Sequence, residues 1–189
     1  CLNTTFLNKP ENVQLQARKS KESEMSKENK SEWTPPSVEE CVAMLKSGFE
    51  GVEKWNALRK MHPEWSPDLS RQDLSKAQLF GVNLSGLNLR GTNFCNANLY
   101  EANLSGADLS KAELFGTELR WANLYEANLS RANLSVANLS GVNLSGVSLC
   151  EARLQSANLS GVNLRGANLF GANLSGANLQ RAILSGAYL

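Results

Sequence analysis

A large apolar residue stands at every fifth position from Leu69 to Leu189, without a slip. The run covers 25 registers, of which 24 hold Leu and one holds Phe94. Two residues before each comes a small one, Ala in 16 cases, and Asn fills the intervening position in 15. Ser and then Gly are the commonest residues after the Leu. So regular a spacing identifies a repeat architecture before any other property of the chain is weighed.

The period excludes the two ordinary elements. Five residues advance an α-helix by about 500°, or about 140° net, so successive leucines would spiral round every side and leave no apolar face. In an uninterrupted strand side chains alternate with period two, so leucines five apart would point up and down in turn. One geometry satisfies every register. The small residue and the Leu both face inward from a very short extended stretch, the Asn between them faces out, and the next two residues turn the chain. Gly suits that corner because it adopts backbone angles that a side chain disfavours. Repeating stretch and corner winds the chain around a leucine column, each Leu contributing on the order of 1.5–3 kcal/mol. Leu87 and Gln72 depart from the small-residue rule. The period alone leaves open how many sides one circuit has.

Ala102-Asn103-Leu104-Ser105-Gly106 and Ala172-Asn173-Leu174-Ser175-Gly176 match the motif A-(N/D)-L-x-x, and residues 67–189 as a whole resemble the pentapeptide-repeat family. The resemblance implies an all-β fold, a right-handed quadrilateral parallel β-helix (a β-solenoid) with four pentapeptides to a coil. Residues 67–189 then make about six coils, a rod about 30 Å long at the strand spacing. It also implies a family abundant in cyanobacteria, many of whose members have no known activity.

Two further segments precede the repeat. Residues 1–34 are dominated by Lys, Glu, Ser, Asn and Gln and bury too little apolar surface to offset the entropy of ordering, which predicts a disordered polar tail. Residues 35–66 read as helical. Pro35 and Pro36 precede Ser37, and Glu40 three residues on completes a capping box. Val38, Val42, Leu45, Phe49, Val52, Trp55 and Leu58 follow at steps of three or four, the spacing of one helical face. Gly48 and Gly51 interrupt it, predicting two short helices, and Pro63 and Pro67 end the segment. A solenoid exposes unpaired backbone groups and apolar side chains at its ends, so a helical cap over the first coil is expected. The stretch from Gly51 through Arg59 to Ser70 resembles the helical lead-in of many such solenoids. At the opposite end Ile183 and Tyr188 replace the outward Asn, and Leu189 follows. These three are the expected contact of an end-to-end homodimer.

The search for chemistry is nearly empty. The one histidine, His62, lies beside Pro63 with no Ser or Cys in a recognisable triad. No phosphate-binding glycine loop follows a strand. Cys1, Cys41, Cys95 and Cys150 form no CxxC, and in a four-sided coil Cys95 and Cys150 fall on different faces, too far apart to bridge or share an ion. Neither catalysis, a cofactor nor a metal is expected. The net charge of +1 implies no nucleic acid as partner, and no apolar run is long enough to span a membrane. With reduced thiols and no visible secretory signal, a cytoplasmic protein is expected. A chain beginning at Cys1 also suits a lipoprotein or a trimmed sequence.

What remains is the outer surface. Twenty residues per coil would stack Phe80, Tyr100 and Arg120 in one column and Gly81, Glu101 and Trp121 beside it, an aromatic and charged patch of the composition favoured at protein interfaces. Arg71, Lys111, Arg131 and Glu151 form a second, mildly basic column that reads as an ordinary solvated surface. A non-enzymatic scaffold or interaction module with an unidentified protein partner is therefore the expected function. Two alternatives stand beside it. Some members of the resembled family mimic a DNA duplex and bind DNA gyrase, but mimicry needs an acidic surface, and residues 67–189 carry eight acidic and nine basic side chains. A secreted or membrane-associated effector is the other.

Overall fold

The computed structural model describes residues 33–189, and Pro36–Leu189 form one compact unit. The expectations for the 1–34 tail fall almost wholly outside the described residues, and that for Cys1 wholly so.

Two helices open the unit, α1 over Val38–Lys46 and α2 over Phe49–Met61. The Ser37 hydroxyl accepts from the Glu40 amide at 3.2 Å, and the Glu40 carboxylate accepts from the Ser37 amide at 2.8 Å, so both partners of the capping box engage. Gly48, at φ 81°, separates the helices. Gly51 does not interrupt anything: it lies inside α2, where an added Cβ would sit 1.9 Å from the Met44 carbonyl oxygen and 2.1 Å from Ser47 Oγ. The bare backbone there lets α2 cross the end of α1. Phe49 also departs from the apolar face read from the sequence and is 65% exposed, while Cys41, Leu45, Val52 and Trp55 are buried.

From Leu69 onward parallel bridges join each outward residue to the one 20 positions later, from Asp73–Asn93 to Asn168–Tyr188. Twenty residues hold four pentapeptides, so four extended stretches and four corners complete a circuit. Each stretch is a single bridged residue, and none is long enough to count as a strand. One pentapeptide shows how the windings join. Leu104 N–H donates to the Asn123 carbonyl at 2.8 Å, Asn123 N–H donates to the Ala102 carbonyl at 2.9 Å, and Gly106 N–H donates to the Tyr125 carbonyl at 2.9 Å. The corner closes on itself through Ala107 N–H and the Leu104 carbonyl at 3.1 Å. Its second residue has positive φ, as in a type II turn.

The Asn of each repeat does more than face water. Asn103 Oδ1 accepts from the Ser105 amide at 3.2 Å and from its hydroxyl at 2.8 Å, pinning the start of the corner. Its Nδ2 donates to Asn83 Oδ1 in the winding before, at 3.4 Å. Asn138–Asn158 and Asn143–Asn163 repeat that ladder. A single side chain thus serves the turn and the stack.

Inside, every Leu from Leu69 to Leu164 is buried, as are the paired small residues. Leu87 is accommodated at 1% exposure. Thr92 and Thr117 are tolerated because their hydroxyls donate to the Leu69 and Phe94 carbonyls at 2.7 and 2.8 Å.

The helices lie against the first winding and supply donors and acceptors that a preceding winding would have supplied. Trp55 Nε1 donates to the Asn83 carbonyl at 2.7 Å, and Arg59 Nη2 to the Ser85 carbonyl at 2.7 Å. Asn56 accepts from the Asn83 amide at 2.8 Å and donates to the Gly81 carbonyl at 3.0 Å. Arg59 also donates to the Trp65 carbonyl, and the Trp65 ring packs on Trp55 with centroids 5.1 Å apart.

Candidate functional site

The corners carry whatever distinguishes one stretch of the rod from another, because the interior is nearly uniform and the outward positions are mostly Asn. In half of the 24 corners the first residue is Ser. Phe80, Tyr100 and Arg120 stand in that first position instead, with Trp121 second in its corner, and the 20-residue register brings them together.

The Phe80 and Tyr100 rings stack with centroids 5.7 Å apart and planes 13° from parallel. Arg120 Cζ lies 5.3 Å from the Tyr100 centroid, a cation–π contact. Glu118 holds that guanidinium in place. Its Oε1 accepts from Arg120 Nε at 2.9 Å and from the Arg120 amide at 3.0 Å. Its Oε2 accepts from Asn138 Nδ2 at 3.1 Å. Hydrogen bonding and charge from Glu118 push the Arg120 guanidinium upward, so it stays charged at any working pH. Trp121 follows at φ 59° with 63% of its surface exposed. Its ring lies along the rod over Gly141, where an added Cβ would sit 3.6 Å from it. Glu101, at φ 56°, is exposed in the neighbouring winding.

Phe115 and Tyr125, 43% and 48% exposed, occupy the corners either side of the Trp121 corner in the same winding. A search for columns 20 residues apart passes over them because each has small residues above and below. The available signal was simpler: a corner whose first residue is aromatic where the repeat prefers Ser.

Ile183 and Tyr188 bridge back to Asn163 and Asn168 in the outward register. Both are exposed, at 53% and 71%, and Leu189 at 77%. His62 sits at the end of α2, its Nδ1 3.7 Å from a Glu64 carboxylate oxygen. Cys41, Cys95 and Cys150 are free thiols, and burial pushes the Cys41 thiol up to about 11. Among the described residues, no three His, Cys, Asp or Glu side chains cluster as metal ligands, and no helix is long and apolar enough to cross a membrane.

The family model for pentapeptide repeats matches residues 77–116, 117–155 and 149–186, in eight copies. Among solved structures the chain is similar to HetL, a pentapeptide repeat protein involved in heterocyst differentiation regulation from the cyanobacterium Nostoc sp. strain PCC 7120. They are 37% identical, covering 66% of this chain and 67% of that one, with a TM-score of 0.37. A pentapeptide repeat protein from the cyanobacterium Cyanothece 51142 is 27% identical over 72% of this chain and 93% of its own, with a TM-score of 0.36. The plasmid-mediated fluoroquinolone resistance protein QnrB1 is 24% identical over 58% of this chain and 59% of its own, with a TM-score of 0.35. Among curated proteins nothing matches. Repeat, register and family model agree, and the chain belongs to the pentapeptide-repeat family.

Proposed function

We propose that this protein is a non-enzymatic interaction module: a right-handed, four-sided rod of about six coils that presents an aromatic corner to a protein partner. The observation that carries the reading is the pre-set group of Phe80, Tyr100, Arg120 and Trp121, with Glu101 beside it. Exposed aromatics beside an immobilised arginine lose little side-chain entropy on binding, which is why such residues dominate interface energetics.

The test is affinity capture from the native host with the full chain and with Tyr100→Ser/Trp121→Ser. Both changes lie on the surface, so the circular dichroism and melting temperature stay close to those of the parent. Loss of a captured protein supports the module; an unchanged set of captured proteins removes the patch from consideration.

Ile183, Tyr188 and Leu189 belong to the same proposal as the contact of an end-to-end homodimer, since all three are exposed apolar groups in neighbouring positions of the last winding. Light scattering at tens of micromolar gives a dimer in that case and a monomer otherwise. The three free thiols support a reducing compartment such as the cytoplasm. Duplex mimicry toward gyrase remains the weaker reading because residues 67–189 as a whole carry eight acidic and nine basic side chains, with no excess of acid, and inhibition in a supercoiling assay would reverse that order.

A further inference from the structure

The basic residues are not spread evenly over the rod. Four of the nine in residues 67–189 sit on one corner, one in each of four successive windings: Arg71, Arg90, Lys111 and Arg131. Windings are about 4.8 Å apart, and like charges so close raise each other's energy even in water. Elsewhere on the rod carboxylates answer Arg120, through Glu118, and Arg153, through Glu113. On this corner the first carboxylate is Glu151, which accepts from Arg131 Nε at 2.9 Å and Nη2 at 3.1 Å. Among the described residues, no ion pair holds Arg90 or Lys111.

Arg90, Lys111, Arg131 and Glu151 line a groove of about 270 Å³ along the corner. Its floor is polar and ordered. Ser110 is 5% exposed, and its hydroxyl oxygen accepts from Arg90 Nη1 at 3.3 Å, which lays the Arg90 side chain along the groove. Ser130 donates to Asn128 Oδ1 at 2.7 Å and shares a 2.8 Å hydrogen bond with Ser148. Glu151 closes the far end with a negative charge.

We propose that this groove binds a small, multiply charged phosphoryl anion, the size of a free oligophosphate chain. Arg90 and Lys111 provide charge with no carboxylate to displace, and guanidinium and ammonium donors match phosphoryl oxygens. The Arg131 guanidinium is held in one orientation by Glu151. Length is set by the same carboxylate: a long polyanion continuing along the corner would meet Glu151 and be repelled, whereas a chain of two or three phosphoryl groups ends before it. The proposal is independent of the aromatic corner.

Isothermal titration of the full chain with sodium tripolyphosphate, at low and at physiological salt, tests it. Saturable binding is expected, weakened at least tenfold by Arg90→Gln/Lys111→Asn. Asn is chosen at 111 because φ there is 60°, which Asn tolerates. Lys76→Gln/Arg165→Gln removes the same charge from other corners and is expected to leave the affinity within twofold. Glu151→Gln frees Arg131 and removes the repelling end, so it is expected to tighten binding severalfold, with Glu126→Gln as the equal-charge control without effect. A phosphorylated peptide titrated in parallel distinguishes the source of the phosphoryl groups. Binding of the peptide without binding of free tripolyphosphate overturns the small-anion assignment. Absence of saturable binding, or equal losses in the two double variants, overturns the site.

Discussion

Leu104, Leu124 and Leu144 lie one above another and are fully buried, while the corner residues beside them, Gly106, Glu126 and Gly146, share only a backbone angle, with φ of 66°, 56° and 70°. The interior tolerates one side-chain size and repeats it. The corners tolerate nearly any side chain, at a backbone cost. In all 24 corners from residue 71 to residue 186 the second residue has positive φ, and in twelve of them it is not glycine. The two regions therefore divide the labour: the column sets stability and register, and the corners hold the chemistry, including both surfaces proposed above.

Leu124→Ala puts the sharpest strain on that division. The side chain is completely buried, and the narrow coil cannot close over the lost methyl groups because neighbouring windings hold its walls. A loss of about 3–5 kcal/mol is expected, read as a lower midpoint in urea unfolding. Because each winding touches only its neighbours, the loss falls on that winding and on the two it packs against. A cost below about 1 kcal/mol would mean that the column does not set stability and would break the comparison.

Cys41 extends the interior rule to the helices. Its thiol is buried, and desolvation, with Glu40 second, raises it from 9.0 to about 11. The folded state holds the proton more tightly than the unfolded one. The associated stability is therefore fully present below pH 9.0 and is lost as pH rises towards 11. Cys41→Ala removes that slope, and the difference between the two proteins' unfolding midpoints across pH 8–11 isolates it from the titrating lysines and tyrosines. Equal slopes would show that the thiol reaches water.

The column and the family were legible because a five-residue period with a fixed inward pair admits one winding, and that reasoning needs no knowledge of contacts. The stacking of Phe80, Tyr100 and Arg120 was legible for the same reason once 20 residues were taken as a circuit. What the sequence hid is local. Asn103 looks like a mere outward residue until its amide is seen to pin the corner and tie two windings together. Gly51 reads as a helix breaker, whereas it is a helical residue under close backbone approach. Arg90 escaped notice because it occupies the first corner position while Lys111 and Arg131 occupy the second, and only side-chain reach brings the three to one groove. Glu118's grip on Arg120 likewise depends on rotamers, which a repeat pattern does not specify.

Val136 and Gly146 make a matched pair for measuring the cost of a corner. Val136 is 53% exposed at φ 61°, a left-handed angle that is an outlier for a β-branched residue. At Gly146, φ is 70° and an added Cβ would find nothing within 4 Å, so a substitution there meets backbone strain and no collision. Gly116 would not serve, because a Cβ there would lie 2.6 Å from Asn96 Oδ1. Left-handed geometry costs an L-residue about 1–2 kcal/mol, while glycine's freedom in the unfolded chain takes back part of any gain. Val136→Gly is therefore expected to stabilise the protein by about 1 kcal/mol, and Gly146→Val to destabilise it by a similar or slightly larger amount. Thermal unfolding of the two variants and of the double variant measures both, and sites on separate corners should give additive shifts. If Val136→Gly were instead destabilising by that amount, the valine would be contributing packing that outweighs its strain, and the corners would share in the stability here assigned to the column alone.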